Sequence, residues 1–321
     1  AYFLAVDLHK DNIQRSKTST DPFKYEKMVY EYAAINNLYD AIARCPGCRK
    51  VVPNPEKYDS ELSGTRIKAA EYRYQLGMNA FEQKENRDKA KEAHGHFSMA
   101  SEFVPRYRDI EDKMNESLFY ATMKIVVEPI PSPVRVFDLK HEFFVNKINE
   151  YLHNNMINQY VRFYTPSEAK IDQLPFIDHY IQMEFDRFNL GSVSSRTYEK
   201  ETSRDSVEVG TTKSGEKVFG TVKAVLKVNE RSLTGSGLLD FKVLDGRTRK
   251  VLTQEKFPSE YVWTARWANF NGDERALSEE EVDMVNRVEV SIPGPQVMFE
   301  EFTAPLYDQV ISKITAYYRY F

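Results

Sequence analysis

The hydrophobic period changes midway along this chain, and that change constrains the fold more than any single motif. Between Pro22 and Ala121 apolar residues recur at three-and-four spacing, whereas from Thr197 to Phe257 they alternate with polar ones. A helical pattern cannot sit as a strand, so the chain is expected to form a helical unit over 1–121 and a sheet-bearing unit over 122–321. Its 321 residues, 41% of them hydrophobic and 13% aromatic, are enough for two packed cores.

The formal charge of −4 and the absence of long Lys/Arg runs offer nucleic acid no electrostatic footprint, so no nucleic-acid partner is expected. No stretch approaches the ~18 apolar residues that a spanning helix needs. The start at Ala1 without Met reads as a processed or truncated N-terminus, leaving room for a lipid anchor upstream.

In the first half, Phe23, Met28, Val29, Tyr32, Ile35, Leu38, Tyr39 and Ile42 mark an amphipathic helix over 22–44, with Asp21 as cap and Pro22 at its first position. Cys45-Pro-Gly-Cys48 is expected to stop it, and Pro53-Asn-Pro55 to continue as an extended loop. Helices follow over 60–83, 87–103 and 108–121. Ala93, Phe97, Ala100 and Pro105 fall at offsets 0, +4, +7 and +12, which resembles the second helix of a tetratricopeptide repeat. Gly77 is similar to the small residue of that repeat's first helix, about four positions early.

In the second half, 122–130 reads as a short buried strand ended by Pro129 and the Pro131-Ser-Pro133 pair. His141 to Asn154 reads as a helix, and 160–164 and 179–185 read as strands. Long alternating segments then flank a turn at Lys213-Ser-Gly215. A further turn is expected at Thr234-Gly-Ser-Gly237, a hairpin at Asp245-Gly246, and a closing amphipathic helix over 298–318. The expected class is α+β: a tetratricopeptide-like helical array followed by an α/β sandwich with a mixed sheet.

Lys124-Ile-Val-Val-Glu-Pro-Ile130 resembles the opening strand of the domain shared by the curli-secretion lipoprotein CsgG and the penicillin-binding-protein activator LpoB. The segments 220–228 and 239–252 resemble its paired strands and their Asp-x-x-Thr-Gly-x-Val-Leu turn; Asp245, Thr248, Val251 and Leu252 match, and Arg249 stands where Gly is usual. The whole is also similar to repeat-containing envelope lipoproteins of Bacteroidota, and Asp205-Ser206-Val207 to the O-glycosylation acceptor of exported proteins in that phylum. The resemblance implies an outer-membrane-anchored protein facing the periplasm. CsgG-type membrane hairpins are not implied, because the strand around 196–209 carries charge on both faces and cannot line lipid.

Cys45 and Cys48 have three readings: a local disulfide or thiol pair, a metal half-site completed by histidine or a partner, or a redox pair. The first is favoured, since no second Cys pair completes a zinc site and no strand precedes the motif. His94 and His96, two apart on a helix, point to different faces. Gly210 to Lys217 lacks the Lys-Ser/Thr and the following helix of a phosphate loop. Ser278 opens a short helix by a capping box, its carboxylates reading as a solvated face. Trp263, Trp267, Phe270 and Arg275 form the candidate partner-binding cluster, against a core-packing alternative for the aromatics. No catalytic residue, cofactor or metal is expected. The function read from this is a non-enzymatic adaptor of a bacterial envelope complex, bound to other proteins, with an envelope enzyme or enzyme activator acting on peptidoglycan or exported protein as the rival.

Overall fold

A computed structural model describes residues 1–131 and 139–321, so Ser132 and Pro133 of the expected strand stop lie outside the described residues. The chain divides into two compact units, Ala1–Met123 and Lys124–Phe321. The architecture is mixed, with helices first and a sheet-bearing region after them.

The first unit comprises α1 (Tyr2–Thr18), α2 (Lys24–Arg44), α3 (Pro46–Val51), α4 (Asp59–Phe81), α5 (Arg87–Phe103) and α6 (Ile110–Ala121). Sequence reading missed α1, which buries only Val6 and Ile13 and so shows little periodicity. Those two residues pack with Met28, Tyr32 and Ile35 of α2. Asp21 does not cap α2 directly: its Oδ1 accepts the Phe23 N–H at 2.8 Å, closing a turn one residue ahead of the helix. α2 stops at Arg44 as expected and Pro53 to Pro55 is non-helical, but the short helix α3 lies between them. Pro46 presets the first helical φ, and Cys45 Sγ accepts the Cys48 N–H at 3.2 Å.

The α4–α5 pair depends on a small-to-large contact. A Cβ on Gly77 would lie 2.6 Å from the Phe97 ring, and Phe97 is fully buried among Ala93, Ala100, Tyr74 and Phe81. Asn86 caps α5 by accepting the N–H groups of Asp88 and Lys89.

The second unit contains β1 (Met123–Val127), α7 (Glu142–Asn154), β2 (Val161–Tyr164), α8 (Pro166–Ile171), β3 (His179–Leu190), β4 (Ser194–Thr211), β5 (Lys217–Asp245), β6 (Val251–Gly272), a 3₁₀ turn (Glu274–Ala276), α9 (Glu279–Asn286) and α10 (Pro295–Tyr318). Among the described residues these strands form one sheet in the order β2-β1-β3-β5-β4, with β6 on β5. β1 runs parallel to β3, while β3, β4 and β6 are all antiparallel to β5, so the sheet is mixed.

The 29-residue β5 organises this unit. Along one edge it pairs first with β4, from Lys217 to Ser232, and then with β3, from Gly235 to Asp245. β6 follows the other edge from Ala224 to Leu244. The turn expected at Thr234–Gly237 is therefore continuous strand, because the glycines serve close approach and not reversal. A Cβ on Gly237 would lie 2.2 Å from the Arg187 carbonyl oxygen and 3.0 Å from the Phe302 ring.

Side chains alternate along β5, and its buried set changes parity. Leu233, Leu239, Phe241 and Val243 are buried on the face that meets α10, where Phe299 and Phe302 pack with Phe185 and Phe188. Val222, Ala224, Leu226 and Val228 instead form a smaller core with Ala276, Leu277, Val282 and Val285 of the 3₁₀ turn and α9. The β5–β6 register is unbroken between Ala224 and Val243, so the two sets occupy opposite faces.

Two glycine substitutions separate packing from propensity in the helical unit. Gly77→Ala should destabilise it by about 1–3 kcal/mol through overpacking against Phe97. Gly95→Ala, exposed in mid-α5 with nothing within 4 Å of its Cβ, should stabilise it by about 0.5–1 kcal/mol. Urea unfolding of both variants, read as shifts of opposite sign, checks this.

Candidate functional site

The four residues expected to form one partner-binding cluster are not on one surface. Trp263 and Trp267 are half-buried on the α10 face of β6, whereas Phe270 has the opposite parity and packs into the core under α9. Arg275 belongs to neither group. Its guanidinium grips Asp273 (2.6 and 2.9 Å) and donates to the Glu208 carbonyl oxygen at 2.6 Å, tying the 3₁₀ turn to β4. That pairing holds the Asp273 carboxyl well below the usual range, at about 2. What remains together is Trp267 with Arg231, whose guanidinium lies 5.4 Å from the ring and also pairs with Glu289.

Ser206 is exposed and sits at a bulge between Arg204 and Val207, with φ of 59°. Such a bulge lifts a residue out of the ladder. The sulfurs of Cys45 and Cys48 are joined in a disulfide. His94 Nδ1 contacts the Met114 carbonyl oxygen, while His96 Nδ1 lies 3.0 Å from Arg73 Nη1, so the two rings have different neighbours. Gly210 to Lys217 is the β4–β5 turn, closed by Thr212 N–H to Glu216 O at 2.9 Å with Gly215 at φ 87°.

The α9 carboxylates need one correction. Glu281 is buried, not solvated: it completes the capping box with Ser278 and pairs with Lys200 Nζ at 2.8 Å. Burial works to raise its pKa, yet the lysine and the cap prevail and hold it below the ordinary 4.5. One carboxylate thus pins α9 to β4 across the end of the small core.

β4 also sorts its charges by face. Arg196, Lys200 and Arg204 share the α9 face, and Glu199 and Glu201 the other, as their β5 partners show, while Asp205, within the bulge, accepts the Thr221 hydroxyl. Lys200 is committed to Glu281, Arg196 to Glu230, and Arg204 to the Leu277 carbonyl oxygen. Beyond Gly272, the last residue of β6, β5 from Lys217 to Lys223 pairs with β4 alone.

Two grooves complete the candidate surfaces. In the first unit, a cavity of about 360 Å³ is lined by Tyr25, Ile67, Lys68, Glu71, Tyr72 and Gln75, with Ile67 half-exposed. In the second, a cavity of about 540 Å³ lies on the sheet and is lined by Arg187, Asn189, Ser236, Leu238, Pro258 and Glu260 with the adjoining backbone. Sequence reading found neither. The only hint of the second was Gly237, which was read as a turn.

No protein-family model matches the chain, and no curated protein matches it. Among solved structures, a Helicobacter pylori protein described as a "putative neuraminyllactose-binding hemagglutinin homolog" is 10% identical with a TM-score of 0.29, covering 61% of this chain and 84% of its own. The hypothetical protein CT253 of Chlamydia trachomatis is 10% identical with a TM-score of 0.28, covering 61% of this chain and 98% of its own. At such scores the likeness carries no argument about fold or function.

Because the Glu281 pKa is depressed by folding, its contribution is complete above the ordinary glutamate value of 4.5 and is lost as pH falls through the lower folded value. Hydrogen exchange in 278–286 should therefore accelerate below pH 4.5 before exchange in α10 does. Glu281→Gln should bring the same acceleration at neutral pH.

Proposed function

We propose that this chain is a non-enzymatic adaptor that holds proteins of a bacterial envelope complex together. The observation that carries the reading is the length of β5. It leaves β4 largely exposed and, although α9 is latched to one of its faces, with one edge unpaired among the described residues. Extended strands with free edges take up other chains by main-chain pairing, and helical arrays offer a second, independent surface.

The finer assignments belong to the same proposal. A tetratricopeptide-like α4–α5 pair is supported by Gly77 opposite Phe97, where a small residue admits the neighbouring helix's ring. A CsgG/LpoB-like second unit is supported by the β5–β6 turn. Asp245 Oδ1 accepts both the N–H and the hydroxyl of Thr248, and Arg249 adopts φ of 60°, the region that favours the glycine usual there. An envelope location with a lipid anchor upstream of Ala1 fits this reading. No helix among the described residues is long and apolar enough to cross a membrane. The rival reading of an enzyme or enzyme activator would be favoured by converging carboxylates or histidines; the sheet groove brings one carboxylate, Glu260, and one guanidinium.

Affinity purification from the native membrane with mass spectrometry tests the adaptor. Deleting 1–121 should release one partner while 123–321 still folds, and a molten second unit would overturn the two-surface reading. Trp267→Ala should weaken recovery of another partner by ~2 kcal/mol, about thirtyfold, with little change in melting temperature. A large fall in melting temperature would assign Trp267 to the core instead.

A further inference from the structure

The groove of about 540 Å³ on the sheet falls within the size range of small-ligand sites and is built from three strands. Arg187 pairs with Leu238, which pairs with Pro258; Asn189 pairs with Ser236, which pairs with Glu260. Directly paired residues share a face, so these six line two adjacent rows on the side away from α10.

Two features open the groove. The β3–β5 register slips between Phe185 and Arg187, a bulge that re-aims Arg187. Opposite it, Gly237 is the only residue type that tolerates the close Arg187 carbonyl.

The charges around the groove divide into those already committed and those left over. Lys256 is bound to Asp186 at 2.5 Å, and Asp240 is held by Lys242 and by both contacts of Gln254. Arg187 and Glu260 form no ion pair with any described residue, and the side chains of Asn189 and Ser236 form no hydrogen bond with one. The unspent groups are thus a cation on β3, an anion on β6, and an amide and a hydroxyl between them, over a floor of Leu238 and Pro258.

We propose that this groove binds a small extended zwitterion with an apolar middle, of which a free tripeptide is the simplest representative. Arg187 would take the carboxylate, Glu260 the ammonium, and Asn189 and Ser236 the intervening peptide groups. The spacing fits. Two strand steps across and two residues along place the Arg187 and Glu260 backbones ~12 Å apart. Three extended residues span ~10 Å, leaving each end within reach of a long side chain. A guanidinium holds a carboxylate through two parallel N–H donors, so binding at that end is directional. This inference stands apart from the adaptor reading, since the groove lies on β3, β5 and β6 and uses neither β4 nor the helical unit.

The test is titration of the full chain with Ala-Leu-Ala, followed by calorimetry and by amide chemical shifts of β3 and β6. One-to-one saturable binding is expected. It should weaken at least tenfold in Arg187→Ala and in Glu260→Ala, and equally when the peptide is N-acetylated and C-amidated. Both residues are exposed, so melting temperatures should not move. The double variant Arg187→Glu with Glu260→Arg should recover binding, because a peptide with free ends can lie in the opposite sense. Absence of saturable binding at about 10 mM peptide, indifference to end-blocking, unchanged affinity in either single variant, or no recovery in the double variant would overturn the proposal.

Discussion

The second unit depends on a mismatch of lengths. At about 3.3 Å per residue, the 29 residues of β5 run for ~95 Å, whereas the 24 residues of α10 cover only ~36 Å. No single helix can bury such a strand. The backbone must nevertheless be paired along its length, and β4 and then β3 supply that pairing on one edge, with β6 adding the other from Ala224 onward. Side-chain burial is therefore local while hydrogen bonding is continuous.

The parity change follows from this. Near its C-terminal end β5 turns odd-numbered residues toward α10, and near its N-terminal end even-numbered residues toward α9, with half-buried Asn229 to Ser232 between. The two cores differ in weight. The α10 core is built of large side chains, including Phe185, Phe241, Phe299 and Phe302, whereas the fully buried residues of the α9 core are Val, Ala and Leu, with Phe270 and Met284 partly buried at its margin and one buried carboxylate as its latch. Opening of α9 should thus cost less than opening of α10, which makes the far end of the sheet the first part to loosen.

This arrangement also shows what the sequence could and could not reveal. Periodicity identified α2, α4 to α7, α10 and most strands, because each buries a regular stripe. It missed α1, α3 and α8, which bury two, none and one residue respectively, too few to set a period. It split β5 at Thr234–Gly237, because glycine signals both a turn and a close approach, and only the position of Phe302 and the Arg187 carbonyl decides between them. The expected aromatic cluster failed for a related reason: Trp267 and Phe270 are three apart, which is one face of a helix but opposite faces of a strand. The sheet groove was illegible because it needs a bulge, and the residues lining it come from three strands spread between 187 and 260.

The free edge of β4 raises the question of why such strands do not pair with their own copies. In a two-fold antiparallel pair, residues facing one another lie on the same face of the sheet. On β4 that sets Arg196, Lys200 and Arg204 only against one another or neutral residues, and Glu199 and Glu201 likewise. No register escapes this, because shifting by two keeps each face with itself, and shifting by one is forbidden by the symmetry. Sorting charge by face therefore resists antiparallel homotypic pairing along the regular part of the strand, while the bulges at 204–207 and 208–210 disrupt the rest. A strand that sets acidic residues beside the basic face and basic residues beside the acidic one meets no such obstacle, so the pattern that resists antiparallel copies leaves the edge open to a partner of that charge order.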